Sequence, residues 1–328
     1  MNGFLDTLHA RAAARCPRIV FAEGTDSRTL EAIGQIVSKG IARPLVIVPD
    51  AAGVAAVRAQ GATAIIPDES PHLAAVQECL AGWARARARS ETEARTHATS
   101  PLAFANALVA TGLADACVAG AVHTTADVLR WALRLIGAEG ESRSVSGAFY
   151  LVAPAHGATW PHEVLTFSDC GVIPDPSVEQ LSDIAIAAAT DRGRIVGDEP
   201  VIAFLSFSTY GSAESADVLR VRQAVALTRG RRPDLRVDGE LQADAALDAI
   251  VAARKAPGSG VAGKANVLIF PSLDAGNIAY KLVQYLSGAT AIGPVVQGLR
   301  RPSLDLSRGA TSAEIVHTAA IAALQCAP

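Results

Sequence analysis

The sequence predicts an α/β protein with a largely parallel sheet, because short β-branched runs alternate with longer helical patterns and the alternation resumes after a break near residue 140. The first run, Arg18-Ile19-Val20-Phe21-Ala22, precedes a helix expected over Ser27–Ser38. Leu45-Val46-Ile47-Val48 and Ala64-Ile65-Ile66 continue the series, and Cys117-Val118-Ala119 leads into a helix expected over Thr124–Ile136. A second series opens with Gly147–Val152 and Val164–Phe167, close enough in sequence to pair antiparallel, and returns to alternation through Val201–Leu205 and Val267–Phe270. A second α/β domain follows. Pro/Gly punctuation at Gly137–Ser144 and at Gly293-Pro294 marks candidate crossings between the two.

Composition bounds the function classes. The chain has 328 residues, half of them apolar, enough to bury a large core in one large or two medium domains. Its net charge of −3 argues against a general nucleic-acid or membrane surface, so any basic site is a pocket for a small anion. Five scattered cysteines, Cys16, Cys79, Cys117, Cys170 and Cys326, form no C-x-x-C pair and fit a reducing cytoplasm. No uncharged apolar run reaches membrane-spanning length, and the N-terminus lacks a secretory core, so a soluble, unexported protein is expected. No H-E-x-x-H and no close carboxylate cluster suggests a metal.

The stretch Gln297-Gly298-Leu299-Arg300-Arg301-Pro302-Ser303-Leu304-Asp305-Leu306-Ser307-Arg308-Gly309-Ala310-Thr311-Ser312-Ala313-Glu314 carries the most chemistry. It sets a hydroxyl, a guanidinium and a flexible glycine just before a helix start, where free N–H groups favour anions. Asp238-Gly239-Glu240-Leu241-Gln242, Ala265–Pro271, Ala275–Gln284, Ser206-Phe207-Ser208-Thr209-Tyr210-Gly211-Ser212 and Gly120–Arg130 accompany it. Together these segments closely resemble the phosphate acetyltransferases (phosphotransacetylases), within the phosphate acetyl/butyryl transferase family, in order from about Ile19 to the end.

That resemblance implies two α/β domains of the isocitrate/isopropylmalate dehydrogenase type around an interdomain cleft. Residues 1–143 with 297–328 form domain I, to which the C-terminal helix returns, and 144–296 form domain II. It implies reversible acetyl transfer between acetyl phosphate and coenzyme A, with CoA, acetyl phosphate and phosphate as small-molecule partners, no cofactor, and a homodimer. Ser307 and Arg308 match the family's catalytic pair, Arg130 a phosphate-contacting arginine, and Arg95 aligns with another. Glu314 stands where the family commonly has an aspartate proposed as the base for the CoA thiol. Thr311-Ser312-Ala313-Glu314 also reads as a capping box. Ser206, Ser208, Thr209 and Ser212 lie on a strand-to-helix loop suited to cradling phosphate.

His123 is read as a structural histidine rather than a base, and Cys170 as a small buried apolar residue. Ser307 lacks a nucleophile elbow, so direct transfer in a ternary complex is expected rather than an acyl-enzyme. Ile173, Ser272, Asp274 and Leu304 depart from the family pattern and bear on acyl-chain preference. Propionyl or butyryl transfer, a non-catalytic acetyl-CoA sensor, and a dehydrogenase of the same fold are the alternatives. No G-x-G-x-x-G follows a strand to support the last.

Overall fold

The computed structural model describes residues 3–140, 144–153 and 162–326. Contacts divide the chain into two units, Met1–Glu139 with Leu299–Pro328, and Gly140–Gly298. The boundary expected at 143–144 involves Arg143, which lies outside the described residues.

Unit 1 begins with α1 (Phe4–Ala13), β1 (Arg18–Phe21), α2 (Ser27–Ser38), β2 (Arg43–Ile47), α3 (Ala51–Ala59) and β3 (Thr63–Ile65). It continues through α4 (Leu73–Arg85), α5 (Glu91–Arg95), α6 (Pro101–Ala110), β4 (Ala116–Ala119) and α7 (Thr125–Trp131). The last turn expected of that helix is a π-helical stretch, Ala132–Ile136, stopped by Gly137 at φ +77°. Unit 2 holds β5 (Ser146–Val152), β6 (Val164–Ser168), α8 (Val178–Ile195), β7 (Val201–Leu205), α9 (Ala216–Arg231) and β8 (Arg236–Leu241). It ends with α10 (Ala243–Leu247), α11 (Ala249–Lys255), β9 (Val267–Ile269), α12 (Leu273–Ser287) and β10 (Thr290–Gln297). The chain then re-enters unit 1 as β11 (Ser303–Asp305) and α13 (Ser312–Gln325). No helix among the described residues is long and apolar enough to cross a membrane.

The unit 1 sheet has the order β11-β4-β1-β2-β3, with every pair parallel. Its central strands read as unbroken apolar runs because helices cover both faces, and all four residues of β4 are buried. Helix α2 turns Thr29, Ala32, Ile33 and Ile36 inward at helical spacing, and its N-cap Asp26 accepts from the N–H groups of Arg28 and Thr29.

The unit 2 sheet has the order β10-β5-β6-β9-β7-β8. Strands β5 and β6 pair antiparallel as their spacing suggested, β10 adds a second antiparallel pair, and the rest are parallel. Gly293-Pro294, expected as a crossing between domains, instead lies inside β10 at the register shift between Ile292 and Val295. A bulge is where a strand tolerates proline, because no ladder N–H is needed there.

Arg192 of α8 is 1% exposed and binds the ends of three strands. Its guanidinium donates to Asp198 Oδ1 and Oδ2 (2.7 Å each), Thr166 Oγ1 (3.0 Å), and the carbonyls of Asn266 (2.8 Å) and Val164 (3.0 Å). Arg192→Ala strands those acceptors and is expected to lower the unfolding free energy by about 3–5 kcal/mol. Arg192→Lys lacks the planar fork and should recover only part of the loss. Urea denaturation followed by circular dichroism measures both.

Candidate functional site

Strands β1, β4 and β11 are neighbours in the unit 1 sheet, and the segments that leave the C-terminal ends of β4 and β11 carry Arg130, Ser307, Arg308 and Glu314. In open parallel sheets this end is where ligands bind.

One carboxylate shapes the β4–α7 loop. Glu23, 5% exposed, accepts on Oε2 from the N–H groups of Gly120 (3.0 Å) and Ala121 (2.7 Å), and on Oε1 from those of Val122 and His123 (2.9 Å each). Oε1 also meets His123 Nδ1 at 2.7 Å. Successive N–H groups of this kind form an anion-binding concavity, and here the protein's own side chain fills it. Arg28 then joins the loops to one another. Its guanidinium donates to Asp26 within α2's own cap, to the carbonyl of Ala121 (2.8 Å), and to the carbonyls of Arg308 (2.8 Å) and Ala310 (3.0 Å).

Asp305, the last residue of β11, is 2% exposed. Its Oδ2 accepts from Thr125 Oγ1 at 2.6 Å, at the start of α7, while Oδ1 has no partner among the described residues. Burial pushes this carboxyl up from 3.8 to about 6, opposed by the Thr125 hydrogen bond and reinforced by the charge of Glu23. Gly120 permits the approach. It sits at φ +113°, and a Cβ there would stand 2.4 Å from Asp305 Oδ1 and 2.6 Å from the backbone of Leu306.

Ser307 and Arg308 are exposed immediately beyond β11. Ser307 Oγ accepts from the Gly309 N–H, and the Arg308 guanidinium engages no side chain among the described residues. Glu314 closes the capping box of α13: its Oε2 accepts from Thr311 N (2.7 Å) and Thr311 Oγ1 (3.0 Å), while Thr311 Oγ1 accepts from Glu314 N. Arg130, on α7, is half-exposed and paired with Asp127 one turn earlier. Arg95 is bound elsewhere, on α5, in an exposed network with Glu78 (2.9 Å) and Glu91, both shared with Arg85.

The serine-rich loop belongs to unit 2 and follows β7. Ser208 Oγ, fully buried, donates to Glu240 Oε1 (2.8 Å), and Gly211 N donates to the same oxygen (2.9 Å). Ser212 Oγ accepts from Thr209 N, and Thr209 Oγ1 accepts from Gln242 N. Burial alone would raise the Glu240 carboxyl, but the Arg222 guanidinium, the Gly211 N–H and the Ser208 hydroxyl bring it down to about 2. Ser208 and Thr209 therefore hold the loop's shape, and Ser206 and Ser212 are the serines left accessible.

Sequence reasoning missed Glu23, Arg28 and Asp305. Glu23 offered a weak signal, a carboxylate just past a predicted strand; Arg28 offered none. Burial raises the thiols of Cys117, to about 12, and of Cys170, which suits inert core residues. The four departures have structural places: Leu304 is buried in β11, Ser272 caps α12, Asp274 lies in that helix's first turn, and the Ile173 N–H donates to buried Asp169. Among the described residues, no group of three or more His, Cys, Asp or Glu could hold a metal ion.

The family model for phosphate acetyl/butaryl transferases matches residues 3–323, and the chain belongs to that family. It is 40% identical over 321 residues to a phosphate acetyltransferase of Paracoccus denitrificans, and 41% identical over 331 residues to one of Acetivibrio thermocellus, covering 98% of each chain in both cases. Among solved structures it is similar to a phosphotransacetylase of Streptococcus pyogenes, with a TM-score of 0.91 and 35% identity over 98% of both chains. A branched-chain phosphotransacylase of Enterococcus faecalis, at 20% identity, a TM-score of 0.68 and coverage of 94% of this chain and 99% of that one, shares the fold.

Because Asp305 is held protonated more readily when folded than when unfolded, its stabilising contribution is complete below pH 3.8 and is lost as pH rises through about 6. That rise corresponds to about 3 kcal/mol. Asp305→Asn should therefore gain on wild type by up to that amount between pH 4 and 6.5. Chemical denaturation at a series of pH values checks it, and a constant difference across the range contradicts the assignment.

Proposed function

We propose that this chain is a phosphate acetyltransferase that transfers an acetyl group reversibly between acetyl phosphate and coenzyme A. The observation that carries the reading is near-full-length identity of about 40% to enzymes of that name, with Ser307-Arg308 exposed on a loop that Arg28 fastens to its neighbour. A thiol with an ordinary pKa of about 8.5 is only a few per cent thiolate at neutral pH, so the site needs positive charge or a base. Arg308 supplies charge to the oxyanion that develops on the carbonyl, Ser307 positions the thiol, and Arg130 receives the phosphate. Ser206 and Ser212 are the phosphate-binding candidates of the β7–α9 loop. Arg95 joins the site only if ligand draws it from Glu78.

The enzyme works by direct thiolate attack, without metal or cofactor, in the cytoplasm. It acts as a homodimer, a reading supported by the exposed apolar residues Ile278, Leu282, Tyr285 and Leu286 along α12. Propionyl and butyryl phosphates are the rival substrates, since the family includes butyryl transfer. Retention of Ser307, Arg308 and Arg130 favours catalysis over sensing.

We assign Glu314 to the cap rather than to the base role expected from the resemblance, because its Oε2 already accepts two hydrogen bonds from Thr311. Initial rates with acetyl, propionyl and butyryl phosphates should show CoA-dependent transfer with acetyl preferred; no transfer from any of them overturns the reading. Arg308→Ala should lower kcat by about a hundredfold or more. Glu314→Gln, which can still close the box, should keep most of kcat at neutral pH; a large loss recovered at high pH returns the base role to Glu314.

A further inference from the structure

Three carboxylates stand near the Ser307-Arg308 loop: Asp305 is 2% exposed and bonded to Thr125, and the other two are already engaged. Glu314 closes its own helix, and Glu23 accepts four N–H bonds from Gly120–His123. The group presented by this arrangement is the imidazole of His123. Its Nδ1 lies 2.7 Å from Glu23 Oε1. Glu23 is the acceptor in its other four bonds, so Nδ1–H is the donor in the fifth, and the neutral ring carries its lone pair on Nε2. Nε2 has no hydrogen-bond partner among the described residues, and the side chain is 33% exposed. A carboxylate behind the ring fixes its tautomer and orientation and stabilises the imidazolium that forms when the far nitrogen takes a proton.

The ring's place in the fold supports a role at this site. His123 lies two residues from Ala121, whose carbonyl shares the Arg28 guanidinium with the carbonyl of Arg308. The charged groups around His123 and Glu23 are Asp127 of α7, which interacts with His123 and is itself paired with Arg130, and Arg28 of α2 and Asp305 of β11, which interact with Glu23 in the loop after β1.

We propose that His123, oriented by Glu23, is the base that takes the proton from the CoA thiol; this rests on the acetyl-transfer reading above. Nε2 accepts the S–H proton, and the sulfur electron pair forms the bond to the acetyl carbonyl carbon. The bond between that carbon and the phosphate oxygen breaks with its electrons on the oxygen. The imidazolium returns the proton to the departing phosphate, which leaves as hydrogen phosphate, and His123 is neutral again. Glu23 is a positioning residue: it touches the ring, not the substrates.

The test is the pH dependence of kcat and kcat/KM for CoA in wild type, His123→Asn and His123→Gln, with acetyl phosphate saturating. Asparagine can still donate to Glu23, so the loop keeps its tie, and glutamine covers the case in which asparagine fails to fold. Loss of general-base catalysis is worth about 10²–10⁴-fold. The expected result is a loss of that order in kcat at pH 7 that shrinks towards pH 9, where free thiolate no longer needs a base, with KM for acetyl phosphate little changed. A folded variant with the wild-type pH profile overturns the assignment while leaving the acetyl-transfer reading intact. Wild-type protein with no transfer activity overturns that reading instead.

Discussion

The fold of unit 1 meets its chemistry at a single buried carboxylate. The N–H groups of Gly120, Ala121, Val122 and His123 point the same way, and a buried N–H without a partner costs about 1–3 kcal/mol. Glu23 accepts from all of them at 2.7–3.0 Å. The β4–α7 loop therefore takes its shape from a residue on the neighbouring strand end. Arg28, the second residue of the next helix, passes that order to the Ser307-Arg308 loop. Gly120 makes room for Asp305, and Asp305 fixes the start of the helix that carries Arg130.

Unit 2 reaches a similar end with different parts. Glu240, on β8, accepts from Ser208, Gly211 and Arg222 and so holds the β7–α9 loop. The two carboxylates differ in what surrounds them. Glu240 has a guanidinium against it and is driven well down, whereas Asp305 has a neighbouring carboxylate and an unpartnered oxygen and is driven up. Burial acts the same way on both; at Glu240 the guanidinium and the hydrogen bonds outweigh it, whereas at Asp305 it prevails.

Much of the architecture was legible in the sequence because the central strands are covered on both faces and read as apolar runs, as in Cys117-Val118-Ala119 and Val201–Leu205. Strands β8, β10 and β11 escaped notice for local reasons. Strand β8 carries Asp238, Gly239 and Glu240, which are poor strand formers, and β10 contains Gly293-Pro294, which reads as a break. The Ser307-Arg308 pair and the capping box were legible because each signal is contiguous. Arg28 and Arg308 stand 280 residues apart, and no local pattern announces a bond across that distance. The orientation of His123 was hidden the same way, since it depends on a carboxylate 100 residues earlier.

A crystal structure of the protein with coenzyme A bound tests the central claim most directly. The three-loop account requires the CoA sulfur within hydrogen-bond distance of His123 Nε2 and beside Ser307 and Arg308, with the Glu23 and Arg28 bonds intact. A sulfur seated away from these loops, or a Glu23 carboxylate released from the Gly120–His123 N–H groups in the bound state, contradicts it.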